Sequence, residues 1–517
     1  MLFILVMEPL HQMVELGSSR GITASLARAG LRQRISKFAD DGMLFIKPYD
    51  LDLQATSFIM DLFGRASGLR INLSMSEALP IRCDEQTMLQ VSAMLRCPIS
   101  SYPCKYLGLP LAIRKQKAAH LMSIVDCLAK RLPRWRAASM PKSGRLLLVK
   151  AVLCDISIHA MMALDIPQKV ISAMTKNCRG FLWCAKDRAN GGQCLIVWDK
   201  LCTPKWAGGL GIPNLSWLST TIHARRPWLQ RTDTSRPLAE FDIQVPEKAR
   251  ALCAAAMCAT VGNGRQTLFW EDRWLDGFRL QEIAPHIYEF VSRSARRSRM
   301  VDHALTDAGW ARDAGPELSA KALQEYLQLW TQVGRVTPTP EATDEISWAW
   351  EPDGTYSSRS AYQANFWGRE VLSTAVFTWS SRALLRCCFF TWLAVQGRCW
   401  TADRLARHGL DHHDTCPFCA QHEESIGHIL LNCVMAREVW TIVCTALEKP
   451  DWIPTSETTL VEWCATKNGT SQSMKKLRTI LLVVLWELWK HRNAIIFDGA
   501  TPSLRALLQT IVKEGRN

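Results

Sequence analysis

Hydrophobic residues recur at helical spacing along much of the chain, most clearly between residues 121 and 182. The first run covers one face of a helix from Leu121 to Leu132. A second run extends from Leu146 to Ile158, and a third begins after Pro167, a residue common at the start of a helix. The spacing therefore predicts three successive helices, whose inward positions in the first run are Leu121, Ile124, Val125, Leu128 and Leu132.

Two other stretches have the turn residues and apolar runs of β-structure. Asp40-Asp41-Gly42 lies between two apolar runs, and Met43 to Ile46 is compatible with a strand. The stretch after Ile346 alternates and contains Asp353-Gly354, which predicts a strand pair joined by a turn. Ser360 to Phe366 then begins a helix, and helical patterns continue after Thr441. These elements predict an α+β chain in which helices predominate.

The bulk composition indicates a folded, basic protein of several domains. Its 517 residues predict two to four domains, and a hydrophobic content of 48% with 21 tryptophans supplies enough core material. The net charge of +14 suits a polyanionic partner, although an ordinary basic protein can carry such a charge. The 19 cysteines are an odd number in mostly apolar surroundings, which indicates reduced thiols in an intracellular protein.

Apolar segments at both ends predict buried helices. Met1 to Met7 has no basic flank and is interrupted by Glu8-Pro9, so we expect a core helix opened at its start and no signal peptide. Ile480 to Trp489 is too short to span a bilayer and contains Glu487. We therefore expect no transmembrane segment and no membrane partner, with a nuclear or cytoplasmic location. The sequence indicates no particular oligomeric state.

Cys416, Cys419, His428 and Cys433 follow the pattern C-x2-C-x8-H-x4-C. A C-x2-C turn presents two thiolates to one ion, and a histidine and a third cysteine can complete the closed tetrahedron of a structural Zn²⁺ site. Because His428 and Cys433 are five positions apart, they do not share a helix face, so we expect the helix to unwind near Cys433. Unrelated residues are the less favoured alternative, and three further histidines could compete as ligands: His412, His413 and His422.

Asp40 and Asp41 are a second candidate metal site. Adjacent carboxylates repel unless a cation lies beside them, and Mg²⁺ prefers a few carboxylates together with substrate phosphates. By itself, however, Asp-Asp-Gly is more often a surface turn than a metal site.

The context of that pair resembles a known family. F-A-D-D followed by G-M-L-F-I-K-P resembles the metal-binding segment of reverse transcriptases, in the form found in plant LINE-type (non-LTR) retrotransposons. Residues 67–77 (S-G-L-R-I-N-L-S-M-S-E) and 106–111 (Y-L-G-L-P-L) resemble the next two palm segments, in the family's order. The resemblance implies RNA-directed DNA synthesis by two metal ions. It makes Asp40 the direct Mg²⁺ ligand and Asp41 its supporting acid, both as catalytic residues.

Two departures from the family pattern change the expected activity. In the family the first catalytic aspartate and the fingers lie upstream of the segment that begins at Met1, and Met75 stands where a lysine is usual. We therefore expect a truncated reverse transcriptase that is inactive as an isolated chain. The alternatives are a non-catalytic zinc-dependent nucleic-acid-binding protein and a relic without a selected role.

The surroundings of the cysteines resemble the reverse transcriptase zinc-binding domain of the same elements, through C-W-T-A-D-R-L, H-I-L-L-N-C and A-R-E-V-W. The resemblance implies five regions: a partial palm (1–111), a thumb-like helical region (112–235), a connector (236–345), the zinc-binding domain (346–440) and a helical tail (441–517). It also implies contact with the RNA and DNA of a template–primer. Basic residues are the expected contacts, with a solvated basic face as the alternative: Lys130, Arg131, Arg134 and Arg136 in the thumb-like region, and Arg398, Arg404, Arg407 and Arg437 in the zinc-binding domain.

Three remaining features receive structural interpretations. The glycines of P-K-W-A-G-G-L-G-I-P lack the ending of a phosphate-binding loop, so we interpret this segment as a turn. Trp270 and Trp274 are interpreted as core anchors rather than base-stacking residues. Lys490 to Asn493 is interpreted as the basic C-terminal end of a packing helix.

Overall fold

The computed structural model describes residues 2–26, 34–132, 134–186, 188–233, 244–315 and 318–516. Helices predominate in these ranges, and the strands form two-stranded antiparallel sheets, so the predicted α+β class is confirmed. Two compact units are present. The first contains the described residues up to Ser123, and the second contains the helical block that follows and the C-terminal half of the chain.

The first unit is built around two helices and a hairpin. Its apolar core contains Leu10, Val14, Ile35 and Phe63. The predicted hairpin is confirmed, with Phe38 opposite Asp41 across a turn at Ala39-Asp40. The elements in order are α1 (Leu2–Ser19), β1 (Ile35–Phe38), β2 (Asp41–Leu44), α2 (Asp50–Ser67), α3 (Glu85–Leu95), β3 (Cys104–Tyr106) and β4 (Leu109–Leu111).

A buried ion pair fixes the base of this hairpin. Arg34 Nη1 lies 3.6 Å from Asp52 Oδ2, and both side chains are almost fully buried. Asp52 also accepts a hydrogen bond from the backbone N–H of Ala24 at 2.8 Å, while the Arg34 carbonyl accepts one from the N–H of Phe45. The hairpin stem is therefore anchored to α2, and its tip extends away from the core.

The helical block predicted from residue 121 onward is confirmed. Every inward position named for the first run is buried, as are the apolar positions of the helix that follows Pro167. One helix, Lys142–Ala163, is long and apolar enough to cross a membrane by length and composition alone, and it packs against both long neighbours in this block. The helices are α4 (Met122–Arg131), α5 (Arg134–Ser139), α6 (Lys142–Ala163), α7 (Gln168–Cys184), α8 (Trp198–Cys202) and α9 (Leu215–Thr232).

The glycine-rich segment after α8 is a turn, as predicted. Gly208 and Gly211 have positive φ angles of 93° and 66°. A Cβ atom on Gly209 would lie 2.0 Å from the backbone oxygen of Thr203, so this position requires glycine. The Gly208 carbonyl accepts a hydrogen bond of 2.7 Å from the indole N–H of Trp392, which ties the turn to the C-terminal half of the chain.

The region expected to be a connector has its own aromatic core. Trp270 is fully buried and Trp274 is 7% exposed, which confirms their interpretation as core anchors. Phe269 packs edge-on against Trp270, with ring centroids 5.0 Å apart. Its elements are α10 (Glu247–Ala256), β5 (Met257–Thr260), α11 (Leu280–Ile283), α12 (Pro285–Phe290), α13 (Arg293–Ser298), α14 (Val301–Leu305), α15 (Ala320–Val333) and β6 (Glu345–Trp348).

The prediction that the stretch after Ile346 forms a strand pair with itself was wrong in the partner of the first strand. The turn exists, since the N–H of Trp348 donates to the Gly354 carbonyl at 2.7 Å. However, β6 pairs with β5, with Met257 opposite Trp348 and Thr260 opposite Glu345. Alternation marks a strand but carries no information about a distant partner. Here Met257 of β5 and Trp348 of β6 are buried in one apolar cluster, which favours this pairing.

The C-terminal part is helical, as predicted. The expected position of the basic cluster was wrong: Lys490 to Asn493 lies inside a helix that continues to Asp498. This helix packs against the helix at Leu385–Val395 and against the turn after His428. The elements are α16 (Ser358–Gln363), α17 (Ala375–Trp379), α18 (Leu385–Val395), α19 (Ala402–Arg407), α20 (Val434–Ala446), α21 (Leu460–Ala465), α22 (Gln472–Asp498) and α23 (Leu504–Arg516).

Candidate metal centre and basic surfaces

A tight turn presents Cys416 and Cys419. The backbone N–H of Ala420, a residue with a φ of 52°, donates to the Cys416 carbonyl at 2.8 Å. The Cys416 N–H donates in turn to the His422 carbonyl at 2.7 Å, which closes a small loop. The backbone N–H groups of Phe418 and Cys419 point toward the Cys416 sulfur. These N–H groups therefore help to favour a thiolate at Cys416.

A wide helical turn presents His428 and Cys433. Residues His428–Asn432 form a π-helical turn, closed by a hydrogen bond of 2.7 Å from the Cys433 N–H to the His428 carbonyl. At Cys433 the backbone leaves the helix, with φ −59° and ψ 140°, and α20 begins at Val434. The predicted unwinding near Cys433 is confirmed. A π turn holds more residues than an α turn, so it brings positions five apart toward the same side.

The four donor atoms converge. Cys416 Sγ lies 3.9 Å from Cys433 Sγ, and Cys419 Sγ lies 3.4 Å from His428 Nε2. All four donor atoms lie within 4.8 Å of one another. Zn–S bonds of about 2.3 Å in a tetrahedron separate two sulfurs by about 3.8 Å. The donor set therefore fits a zinc ion, and four protein ligands would leave no coordination position open for a substrate.

A side-chain hydrogen bond joins the buried sulfurs of Cys416 and Cys433. The side-chain hydrogen bond with Cys433, helped by the backbone N–H groups of the turn, lowers the pKa of the Cys416 thiol to about 5. The same hydrogen bond raises the pKa of Cys433, and burial raises it further. Zinc binds thiolates, so binding of the ion would release the proton of this hydrogen bond.

The structure separates His428 from the three competing histidines. His412 is held by Asp414, with Nε2 2.9 Å from Oδ1, and by the Leu410 carbonyl. The His422 ring lies 5.2 Å from the His428 ring, yet neither it nor His413 joins the group of donor atoms found among the described residues.

Asp40 and Asp41 lie at the exposed tip of the first hairpin. Asp40 belongs to the turn, and Asp41 is the first residue of β2. Across the described parts of the chain, no third carboxylate, histidine or cysteine joins them in a group that could hold a metal ion. Met75 is 80% exposed. Tyr106 lies near the same hairpin, with its hydroxyl 3.3 Å from that of Ser36.

The predicted basic contacts fall into two groups. Lys130 and Arg131 are exposed at the end of α4, whereas the side chains of Arg134 and Arg136 lie outside the described residues. Arg407 is exposed and forms an ion pair of 2.8 Å with Asp403. Two further arginines of the zinc-binding region are also exposed, namely Arg398 and Arg437.

Arg404 differs from the others because it is only 6% exposed. Its guanidinium carbon lies 4.4 Å from the ring centroid of Trp400. A further basic surface on α13 was not identified from the sequence. Arg293 and Arg297 are exposed there, and no ion pair involves either among the described residues. The run of arginines in residues 293–299 is the sequence signal that could have identified it.

Two comparisons with known proteins bear on this region. A family model described as zinc-binding in reverse transcriptase matches residues 356–440, which include all four donor residues. A protein of Arabidopsis thaliana named "Putative ribonuclease H protein" is 24% identical over 413 residues. That alignment covers 73% of this chain and 64% of the relative, so the chain spans less than two thirds of the relative's length.

Proposed function

We propose that this chain is a nucleic-acid-binding part of a LINE-type (non-LTR) retrotransposon reverse transcriptase, ordered by a structural zinc ion. The observation that carries the proposal is the Cys₃His group, which lies inside the stretch that matches the reverse transcriptase zinc-binding family. The formal charge of +14 supports RNA and DNA as partners. The five regions expected from the sequence, and a nuclear or cytoplasmic location, are part of the proposal.

Cys416, Cys419, His428 and Cys433 would hold the zinc ion. Bound zinc would supply folding free energy rather than chemistry, because its four protein ligands leave no open position. The π turn positions His428 and Cys433 as the second ligand pair. Helix α20 follows directly, and its buried residues pack the domain into the neighbouring core.

Asp40 and Asp41 are proposed as the counterparts of the Mg²⁺-binding acids of the polymerase. Two-metal nucleotide transfer needs a set of carboxylates that clamps both ions. The described residues bring no further acidic group to this pair. We therefore propose that the isolated chain binds a template–primer without extending it.

The second candidate is a zinc-dependent nucleic-acid-binding protein without catalytic activity. It is favoured by the exposure of both aspartates and by the complete donor set at the zinc site. The name of the Arabidopsis relative suggests ribonuclease activity, which would also need a cluster of carboxylates, and the candidate metal group found among the described residues is the Cys₃His group.

The test combines primer extension with binding on the zinc-loaded chain. An RNA template with a DNA primer is incubated with nucleotides and Mg²⁺ or Mn²⁺, and Asp40→Asn serves as the control. We expect binding of the template–primer, loss of binding in Cys416→Ala, and no extension. Extension that disappears in Asp40→Asn would overturn the inactive assignment, and absence of binding by the zinc-loaded chain would overturn the proposal as a whole.

A further inference from the structure

A tight turn after α16 presents an indole and a guanidinium from two positions of the same loop. The turn covers residues 366–369 and is closed by a hydrogen bond of 3.3 Å from the Arg369 N–H to the Phe366 carbonyl. Gly368 has a φ of 71°, which favours glycine. Trp367 and Arg369 are two positions apart, so their Cα atoms lie no more than about 7 Å from each other.

Trp367 is a large aromatic side chain at the surface, and it is 57% exposed. Trp350 contacts its ring edge to face, with ring centroids 4.9 Å apart and ring planes at 80°. Trp350 packs in the same way on the buried Trp348 of β6, with ring centroids 5.2 Å apart. The Trp367 indole is therefore braced against the core although it is exposed. A ring that is already held in place loses little conformational freedom when a ligand binds to it.

Arg369 is held on two aromatic rings. Its guanidinium carbon lies 4.7 Å from the ring centroid of Trp217 and 5.4 Å from that of Phe366. These two rings contact each other edge to face, with centroids 5.1 Å apart, and so form one support. A guanidinium stacked on an aromatic face keeps its N–H groups directed outward in its own plane, where they can bind a phosphate.

Arg369 has no acidic partner within the described parts of the chain. The residue is exposed, and the contacts of its guanidinium in these parts are with the Trp217 and Phe366 rings. Glu370 follows directly and is also exposed, so its charge opposes an anion at this turn without neutralising Arg369 through an ion pair. The guanidinium is therefore available to an external anion, and Glu370 offers a way to test the sign of that ligand's charge.

The indole and the guanidinium match the two parts of a nucleotide. Bases of single-stranded nucleic acid stack on exposed aromatic rings, whereas the bases of a duplex are already stacked on each other. Arginine binds phosphate through parallel N–H bonds, which gives the contact a fixed geometry. A braced ring beside an unpaired cation therefore favours a single strand over a duplex, and a polyanion over an uncharged protein surface.

We propose that Trp367 and Arg369 form a binding site for single-stranded nucleic acid. One base stacks on the Trp367 indole, and the Arg369 guanidinium binds a phosphate of the adjoining backbone. Trp350 and Trp217 act as supports that hold the two side chains in place. This inference rests on the proposed nucleic-acid-binding function, and it adds a location and a preference for single strands.

The test measures fluorescence anisotropy of a labelled single-stranded oligonucleotide and of its duplex, with the zinc-loaded full-length chain. We expect Trp367→Ala to weaken single-strand binding about tenfold and duplex binding much less. Phe497→Ala, which removes a 75% exposed ring from α22, is the matched control and should change neither.

The charge of the site is tested in the same assay. Arg369→Gln should weaken single-strand binding and reduce the slope of log affinity against log salt by about 0.7, as expected for one lost phosphate contact. Arg335→Gln, at an exposed position after α15, is the control and should have little effect. Glu370→Gln should strengthen binding about twofold, because it removes a charge that repels phosphate.

Equal single-strand affinities of Trp367→Ala and Phe497→Ala, with wild-type binding intact, would overturn this site and leave the proposed function in place. So would a change confined to self-association in sedimentation velocity, which would identify the turn as a protein contact. Absence of binding by the zinc-loaded wild type would instead overturn the proposed function.

A second measurement does not depend on the folding of any variant. A 4-thiouracil oligonucleotide is photo-cross-linked to the zinc-loaded wild type, which is then digested with trypsin and mapped by mass spectrometry. Residues 360–369 form one tryptic peptide, because arginine precedes it and ends it. Cross-links to this peptide support the site, and cross-links confined to other regions overturn it.

Discussion

Glu424 and Arg492, 68 residues apart in sequence, form a buried ion pair in which Arg492 Nη2 donates to Glu424 Oε1 at 2.6 Å. Their side chains are 2% and 6% exposed. The same carboxylate oxygen accepts from the backbone N–H of Ala402 at 3.1 Å. Glu424 lies between the two ligand pairs in the sequence, so one carboxylate joins the segment that carries the zinc ligands to the start of α19 and to the C-terminal third of α22.

Removing this carboxylate should destabilise the zinc-binding region. Glu424→Gln leaves the buried Arg492 guanidinium without its counter-charge, and loss of one partner of a buried pair costs about 3–5 kcal/mol. We expect a lower denaturation midpoint in urea and faster loss of zinc to a chelator. Glu438→Gln, at an exposed position on α20, is the control. A midpoint for Glu424→Gln equal to that of the control would contradict this role.

Zinc binding should depend on Cys433 and not on its neighbour Cys444. Both side chains are fully buried, but only Cys433 contributes to the donor group. We expect Cys433→Ala to abolish stoichiometric zinc and to expose residues 400–440 to protease, because binding and folding are coupled. Cys444→Ala should keep its zinc. Metal content by atomic spectroscopy and limited proteolysis provide the measurements, and full zinc content in Cys433→Ala would refute the assignment.

Lys467 should make stability rise with pH. The residue is 4% exposed and its ammonium donates to the Trp463 carbonyl at 2.7 Å, and burial lowers the pKa of Lys467 to about 8. An unfolded lysine has a pKa of about 10.4, so the unfolded chain binds more protons between these values. The free energy of unfolding contributed by this group therefore rises by about 3 kcal/mol from pH 8 to 10.4.

Urea unfolding of Lys467→Met at several pH values measures this effect. The variant should be more stable than wild type near pH 7, and the difference should shrink as the pH rises above 8. Lys476→Met, at an exposed position of α22, should retain the pH dependence of the wild type. If the difference in free energy of unfolding between Lys467→Met and wild type does not change with pH, titration of this lysine is ruled out as the cause.

Asp344 should be essential to the loop at residues 261–267. Its carboxylate accepts bonds of 2.8 Å from the N–H groups of Gly262, Gly264 and Gln266, and one of 2.9 Å from the Thr267 hydroxyl. Burial raises the pKa of Asp344, but these hydrogen bonds outweigh burial and lower it overall. Its stabilisation is therefore present above pH 4 and is lost as the pH falls through the folded-state pKa.

Asp344→Asn places an N–H₂ group against donors and should cost about 3 kcal/mol at neutral pH. The exposed neighbour Glu345→Gln should cost little. Thermal unfolding at pH 7 and at pH 3 tests the role of the charge, because the difference in unfolding temperature between Asp344→Asn and wild type should be smaller at pH 3. A difference in unfolding temperature that is the same at pH 7 and pH 3 would show that the charge of the carboxylate does not contribute.

Spacing along the sequence determined the local elements. The buried face of α4, the helix after Pro167 and the hairpin at Asp40-Asp41 all follow from periodicity and turn chemistry within a few residues. The four donor residues were also identified from spacing, because Cys416 to Cys433 is one short segment and a metal site in such a segment is a local property.

Only the tertiary structure decided which distant residues meet. The exclusion of His422 from the donor group, the pairing of β6 with β5 and the burial of Arg404 depend on how long loops close and which faces pack. Arg492 illustrates the reason: its sequence context indicated a basic helix end, yet α22 continues past it and directs it into the core. Periodicity fixes a residue's place on its own element, whereas its charge partner is set by packing between elements far apart in the chain.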